Sequence, residues 1–220
     1  MPEIDVKLQN PLELSREDWI ECQNIALDAY RATLLTPDGA QISENALRFM
    51  NSIEDPERYA RSHRDPNTEV GKLFGEDQDF KNMHVARTYV NGVIAGFGYS
   101  ADNVSGGSEL VRNVKRRFPM KNYFWVRELL VLPEFLREGV ATETAKSLLG
   151  SATSPQQTVT HYDWPELQPN YVNDKITQLG FETEPMKKVE LFGPGTTEVM
   201  QVRRSGLTVE KLLASLAVQS

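Results

Sequence analysis

The sequence predicts a mixed α/β domain built on a central, largely antiparallel sheet. Two features carry that expectation. The first is a hairpin: the β-rich runs Val85 to Val90 and Val93 to Tyr99 flank Asn91-Gly92, a pair that tolerates the positive φ angles of a two-residue turn. The second is the stretch from Tyr123 to Ala141. Aromatic, branched and apolar residues through Val131 suit a buried strand, Pro133 ends the ladder because it has no N–H to donate, and a helix from Ala141 to Leu149 opens after a tight turn.

The other elements follow in order. Ile4 to Leu8 alternates as a first strand. Ser15 with Asp18 three positions later forms a capping-box pattern, and Trp19, Cys22, Ala26, Ala29 and Tyr30 recur at helical spacing, so a helix is expected from Arg16 to Leu34. The run Thr36 to Gly39 breaks it. Ser43 caps a second helix carrying Ala46, Leu47, Phe49, Met50 and Ile53, Pro56 starts a short third one through Arg61, and polar Ser62 to Gln78 is a loop. A loop from Ser100 to Gly107 and a helix from Ser108 to Phe118 precede the Tyr123 strand. Gln157 to Trp164 alternates as a strand, Glu166 to Leu179 reads as a helix ended by Gly180, and Phe181 to Phe192 with Thr197 to Arg203 forms a closing hairpin around Gly193-Pro194-Gly195. Leu212, Leu213 and Leu216 place a last helix over Leu207 to Val218. One domain is expected over residues 1–205, with a helical extension over 206–220.

A chain of 220 residues suits one well-cored domain, and 40% hydrophobic with 25% charged residues are globular values. No stretch approaches the roughly 18 apolar residues of a membrane span, so no membrane partner is expected. Met1 to Asp5 has neither the basic region nor the apolar core of a secretion signal, and lone Cys22 makes no internal disulfide, which favours a cytoplasmic location. A net charge of −7 argues against nucleic acid as a partner, since phosphate backbones reward clustered Lys and Arg. It suits a basic amine, although modest acidity also serves solubility alone.

Gly139 and Ala141 let the backbone approach a ligand where the helix begins, and the first free N–H groups point at it with the positive end of the helix dipole, so a diphosphate fits. The run Leu136-Arg137-Glu138-Gly139-Val140-Ala141 resembles the acyl-CoA-binding motif of the GNAT superfamily of N-acetyltransferases: Arg or Gln, two residues, Gly, one residue, then Gly or Ala. Glu128 to Phe135 resembles the family's fourth strand and its exit. The Arg or Gln position holds Leu136, with Arg137 one place later. The ending Leu179-Gly180-Phe181 resembles the close of the family's final helix, where Asn170, Tyr171 and Asn173 stand in the region of its Asn and Tyr; the usual Tyr position is Ile176.

That resemblance implies a sheet of six to seven strands and acetyl-CoA as cosubstrate, without a metal. It implies that the backbone from Arg137 through Glu138, Gly139, Val140, Ala141 and Thr142 holds the pyrophosphate. Free backbone groups of Leu130 and Val131 would bond the pantetheine amides and the thioester oxygen, with Asn170 or Asn173 as further pantetheine contacts. Tyr171 is the nearest stand-in for the family's thiolate-protonating Tyr, but it sits five residues early, and structural use of its ring is favoured. The acceptor would be a small-molecule amine or a peptide amine; a homodimer is left open.

Glu128 is an acidic residue in an otherwise apolar strand, and burying it costs several kcal/mol unless it is paired or protonated. It is the general-base candidate, with a salt bridge to Arg127 or to a distant cation as the plain alternative. His161 and Asp163 share one side of a strand, but no third ligand at convincing spacing supports a metal. Arg112, Lys115, Arg116, Arg117 and Lys121 form a basic cluster that reads as a solvated helix face, with an acidic partner or the adenosine phosphate as the other options. The function expected is N-acetyl transfer from acetyl-CoA to an amine, and the rival is a non-catalytic acyl-CoA-binding or sensor module.

Overall fold

The computed structural model describes residues 2–34, 83–102, 123–163, 165, 170–190 and 198–217. The helices expected from Ser43, Pro56 and Ser108, the loop from Ser62, the Gly193-Pro194-Gly195 turn and the basic cluster at Arg112 to Lys121 lie outside the described residues, as do the side chains of Arg127, Glu128, Asn170 and Tyr171.

Seven strands form one sheet in the order β1-β2-β3-β4-β5-β7-β6. They are β1 (Ile4–Gln9), β2 (Met83–Val90), β3 (Val93–Asp102), β4 (Tyr123–Val131), β5 (Thr158–Asp163), β6 (Glu182–Glu190) and β7 (Glu198–Thr208). Helices are α1 (Arg16–Leu34), α2 (Val140–Gly150), α3 (Asn170–Gln178) and α4 (Val209–Ala217). Every neighbouring pair is antiparallel except β4 with β5. β7 continues five residues beyond the expected Arg203, because its register against β5 runs out to Thr158↔Thr208.

Strand alternation divides the core between the two faces of the sheet. On one face Phe97, Tyr99, Ala101, Tyr123 and Trp125 pack against Trp19, Cys22, Ile25 and Ala26 of α1. On the other, Val140 of α2 meets Val90 and Ala95, while Phe124, Leu149 and Val159 join Val209, Leu212 and Leu216 of α4. The C-terminal helix therefore shares the core of the sheet.

Local chemistry fixes the ends. Ser15 Oγ accepts from the Asp18 N–H at 3.1 Å and Asp18 Oδ2 accepts from the Ser15 N–H at 2.9 Å, the reciprocal cap that starts α1. Arg87, 6% exposed on β2, ties that start to the sheet by donating to Asp18, to Glu21 at 3.1 Å and to Gln9 at 2.7 Å. The hairpin turn has φ +50° at Asn91 and +79° at Gly92. Gly180, at φ +85°, ends α3 in a Schellman pair, Phe181 N–H to the Ile176 carbonyl at 3.4 Å and Gly180 N–H to that of Thr177 at 2.9 Å.

Gly96 of β3 has no room for a side chain. A Cβ there would stand 2.6 Å from the Leu130 carbonyl oxygen and 3.0 Å from Val140 Cγ1. Gly96→Ala is therefore expected to lower stability by about 1–3 kcal/mol, the usual cost of overpacking a tight site. Urea unfolding checks this; an unchanged midpoint would show that β3, β4 and α2 do not meet so closely.

Candidate active site

β4 pairs with β3 along its length, from Asp102↔Phe124 to Gly96↔Val131, with an irregularity between Tyr99 and Ser100. Its pairing with β5 is far shorter: Tyr123↔Thr158, Phe124↔Val159 and Trp125↔Thr160. Beyond those three pairs the two strands share no ladder, which leaves a gap in the pairing along the C-terminal part of β4. Its apex is pinned by Gln157, fully buried, whose amide donates to Asp102 and to the Tyr123 carbonyl at 3.3 Å, while Asp102 also accepts from the Thr153 N–H at 2.6 Å.

Separation leaves backbone groups of β4 facing the gap. The Leu132 N–H donates to the Ala95 carbonyl at 2.8 Å, toward β3. Alternation then turns the N–H and C=O of Val131 to the opposite side, into the gap. Leu130 differs: its carbonyl lies against Gly96 on the β3 side. Of the two residues expected to offer backbone bonds, Val131 presents its peptide groups to the gap and Leu130 turns its carbonyl away. Glu128 is in register with Tyr99.

At the mouth of the gap β4 ends at Val131, Pro133 opens a 3-10 turn through Phe135, and a loop leads into α2. Arg137 has φ +71° and Gly139 φ +91°, and Gly139 caps α2 with no side-chain hydrogen bond. The Glu143 N–H closes on the Gly139 carbonyl at 3.0 Å, so the N–H groups of Val140, Ala141 and Thr142 belong to the first turn, which has no acceptor within the helix. Glu138, Gly139 and Ala141 are exposed there, whereas Val140 is 1% exposed and packs on Ala95. Thr144 holds the helix down through a buried 2.6 Å contact with Thr88 and a bond to the Val140 carbonyl at 2.7 Å. The free N–H groups of this first turn point out of the helix with the positive end of its dipole.

The far wall is β5. Asp163, 4% exposed, accepts from Arg204 Nε at 2.9 Å, and Arg204 also donates to Thr183 at 3.0 Å and to Asn173 Oδ1 on α3. Asn173 Nδ2 donates to the Pro165 carbonyl at 3.1 Å. The Asn173 side chain, expected as a cofactor contact, is thus occupied in holding α3 to the sheet. His161 lies on the same strand face, with Nε2 3.8 Å from Asp163 Oδ2, longer than a hydrogen bond. Burial alone would raise the Asp163 carboxyl, but His161 and the Arg204 guanidinium outweigh it and hold it below its ordinary value. Pairing in sequence gave no sign of this cluster, because residues 163, 173, 183 and 204 meet only through the fold.

On the opposite sheet face a groove of about 290 Å³ runs beside Leu132, lined by Glu17, Ile20, Glu21, Asn24, Ile25, Asp28 and Ile94. Among the described residues there is no group of three or more His, Cys, Asp and Glu arranged to hold a metal, and no helix is long and apolar enough to cross a membrane.

The buried pair predicts a stability effect. Arg204→Ala should cost about 3–5 kcal/mol, the usual result of leaving one buried charge unpartnered. The Asp163 contribution should be complete above its ordinary pKa of 3.8 and be lost as pH falls through its lower folded value, so the stability gap to Asp163→Asn narrows in acid. Urea titrations of both proteins between neutral pH and strong acid check this, and a constant gap would show that Asp163 is not held ionised.

No family model matches the sequence, and no curated protein is significantly similar to it. Solved structures do share its architecture. An N-acyl amino acid synthase from uncultured soil microbes superposes with a TM-score of 0.53 at 10% identity, over 96% of this chain and 94% of that one. A candidate acetyltransferase of the GNAT family from Desulfovibrio desulfuricans gives 0.50 at 8% identity, over 94% of this chain and 99% of that one. A Bacillus halodurans protein of uncharacterised function gives 0.50 at 12%, over 99% and 97%. Identities this low speak for architecture alone, and with the strand order and the parted β4 and β5 they show that this chain has the fold of the GNAT acetyltransferases.

Proposed function

We propose that this chain is an acyl-CoA-dependent N-acyltransferase that moves the acetyl group of acetyl-CoA to a primary amine. The observation that carries the reading is the gap between β4 and β5, with the uncapped start of α2 at its mouth. A cradle of backbone N–H groups suits a pyrophosphate, and a strand with unpaired peptide groups suits the amides of a pantetheine arm. A bare nucleotide would need the first and not the second.

In this reading the backbone of Arg137 to Thr142 holds the pyrophosphate. Val131 pairs with the arm and its N–H polarises the thioester carbonyl, a preorganised donor where negative charge develops. Glu128 takes the proton from the acceptor ammonium, directly or through water, and the freed amine attacks the carbonyl. The groove beside Leu132 carries Glu17, Asp28 and Glu21, the last already paired with Arg87, and an acidic lining suits a small cationic acceptor. A cytoplasmic location fits a CoA-using enzyme.

Saturating CoA or acetyl-CoA should raise the melting temperature, since ligand at a hundredfold excess over Kd stabilises by about 2.7 kcal/mol. Gly139→Asp should abolish that rise by setting bulk and negative charge where the phosphate belongs. Gly139→Asn, which tolerates the left-handed backbone, controls for strain and should keep a measurable rise. A full rise in folded Gly139→Asp protein would remove the pyrophosphate assignment.

Glu128→Gln should reduce the acetylation rate by roughly a hundredfold while CoA affinity stays nearly intact, the size of a lost general base. Thiol release from acetyl-CoA with a panel of amino-acid amides, polyamines and aminoglycosides provides the measurement. A wild-type rate in the variant would make Glu128 structural, and CoA binding without turnover on any amine would favour a binding or sensor module.

A further inference from the structure

A polar cluster sits beside the apex of the gap, on the sheet face that carries α2. His84 of β2 stands directly opposite Ser100 of β3, and Asp102 is two residues further along β3, so the three side chains share that face. Ser100 is fully buried, and its Oγ has no hydrogen-bond partner among the described residues. The buried Nδ1 of half-buried His84 has none either. Asp102, 1% exposed, is the carboxylate that closes the apex, accepting from the Gln157 amide and from the Thr153 N–H at 2.6 Å. His84 and Asp102 are diagonal neighbours across the strand pair, a separation of about 7–8 Å that a long side chain or a ring can bridge. Burial holds the imidazole below its ordinary 6.5, and the nearby Asp102 charge offsets only part of that, so His84 is neutral at neutral pH.

Other charged groups on the elements around β2 are turned to different partners. On α2 Lys146 donates to Glu143 at 2.8 Å, and on the 3-10 turn Pro11–Glu13 the Glu13 carboxylate accepts from the Asn10 N–H at 3.2 Å. Asp5 and Lys7 of β1 stand opposite Tyr89 and Arg87, on the other sheet face, where Asp18 and Glu21 of α1 also meet Arg87. Asp102 is therefore the anion to which a charged His84 would turn among the described residues.

We propose that His84 is an acid-sensitive latch on the apex: once protonated, its Nδ1–H competes with Gln157 and Thr153 for the Asp102 carboxylate, and the join between β3 and the start of β5 loosens. An imidazolium donates from both nitrogens, and a buried N–H without an acceptor is costly, so the new donor draws the nearest carboxylate toward it. The proton comes from solvent and returns to it, and no covalent bond of the chain changes. The latch is independent of the acyltransferase reading above.

An NMR titration of the isotope-labelled protein from mildly alkaline to mildly acid pH tests this. The Thr153 amide proton, held downfield by its carboxylate acceptor, should move upfield with the same midpoint as the His84 ring protons. In His84→Gln it should stay constant over that range. Because the folded state binds the His84 proton less tightly than the unfolded chain, wild type should also lose stability relative to His84→Gln as pH falls below 6.5 and through the lower folded value. A Thr153 amide that stays still while His84 titrates, or that moves equally in His84→Gln, overturns the latch, as does a His84 ring that does not titrate before the chain unfolds in acid. Should His84→Gln fail to fold, His84→Asn takes its place, and the coincidence of the two midpoints in wild type decides the matter without either variant.

Discussion

The unequal pairing of β4 governs everything built around it. One edge is bonded to β3 over its whole length and the other to β5 for three residues only, so a central strand keeps an unpaired edge inside the sheet. An unmet peptide group away from water costs about 1–3 kcal/mol, which is why interior ladders normally close. The cost is held in check by fixing both ends of the gap. Gln157 and Asp102 lock the apex through buried bonds to Tyr123 and Thr153, and Arg204 with Asp163 anchors the open end of β5 to β7. Gly96 completes the arrangement by letting the Leu130 carbonyl settle against β3.

How far this could be read in the amino-acid sequence depended on the range of the interactions. Local chemistry was legible. Asn91-Gly92, the Ser15 and Asp18 cap, Pro133 and Gly139 each act within a few residues, and the hairpin, the start of α1 and the strand-turn-helix unit all stand where those residues predict. The length of β7 was not, because what extends it is its partner β5 rather than its own pattern. The resemblance implied free backbone groups at Leu130 and Val131, but no composition signal marks where the parallel pair of β4 and β5 stops.

The charged cluster on the far wall shows the same limit at the level of chemistry. His161 and Asp163 were rightly placed on one side of a strand, and the missing third ligand argued against a metal. What the spacing could not reveal was that the third party is a cation, Arg204, brought in from 41 residues away. Once Arg204 takes Asp163 and Asn173 together, the Asn has little left to give a cofactor. The burial of Arg203 and Arg204 on adjacent β7 positions, which demands partners for both guanidinium groups, appears only in the structure.

In the proposed reading an acidic chain takes a strongly anionic cosubstrate, and the division of the sheet explains how it could. The cradle at α2 consists of backbone dipoles, which attract a phosphate at contact range without changing net charge. Repulsion from the −7 of the whole chain acts over longer distances, where a Debye length of about 8 Å at physiological salt removes most of it. Acidic side chains can then gather on the α1 face, beside Leu132, where they would meet a cation approaching from the other side of the sheet. The two substrates would thus be sorted by different physics, the anion by oriented peptide groups and the cation by carboxylates, with the gap between β4 and β5 as the place where they meet.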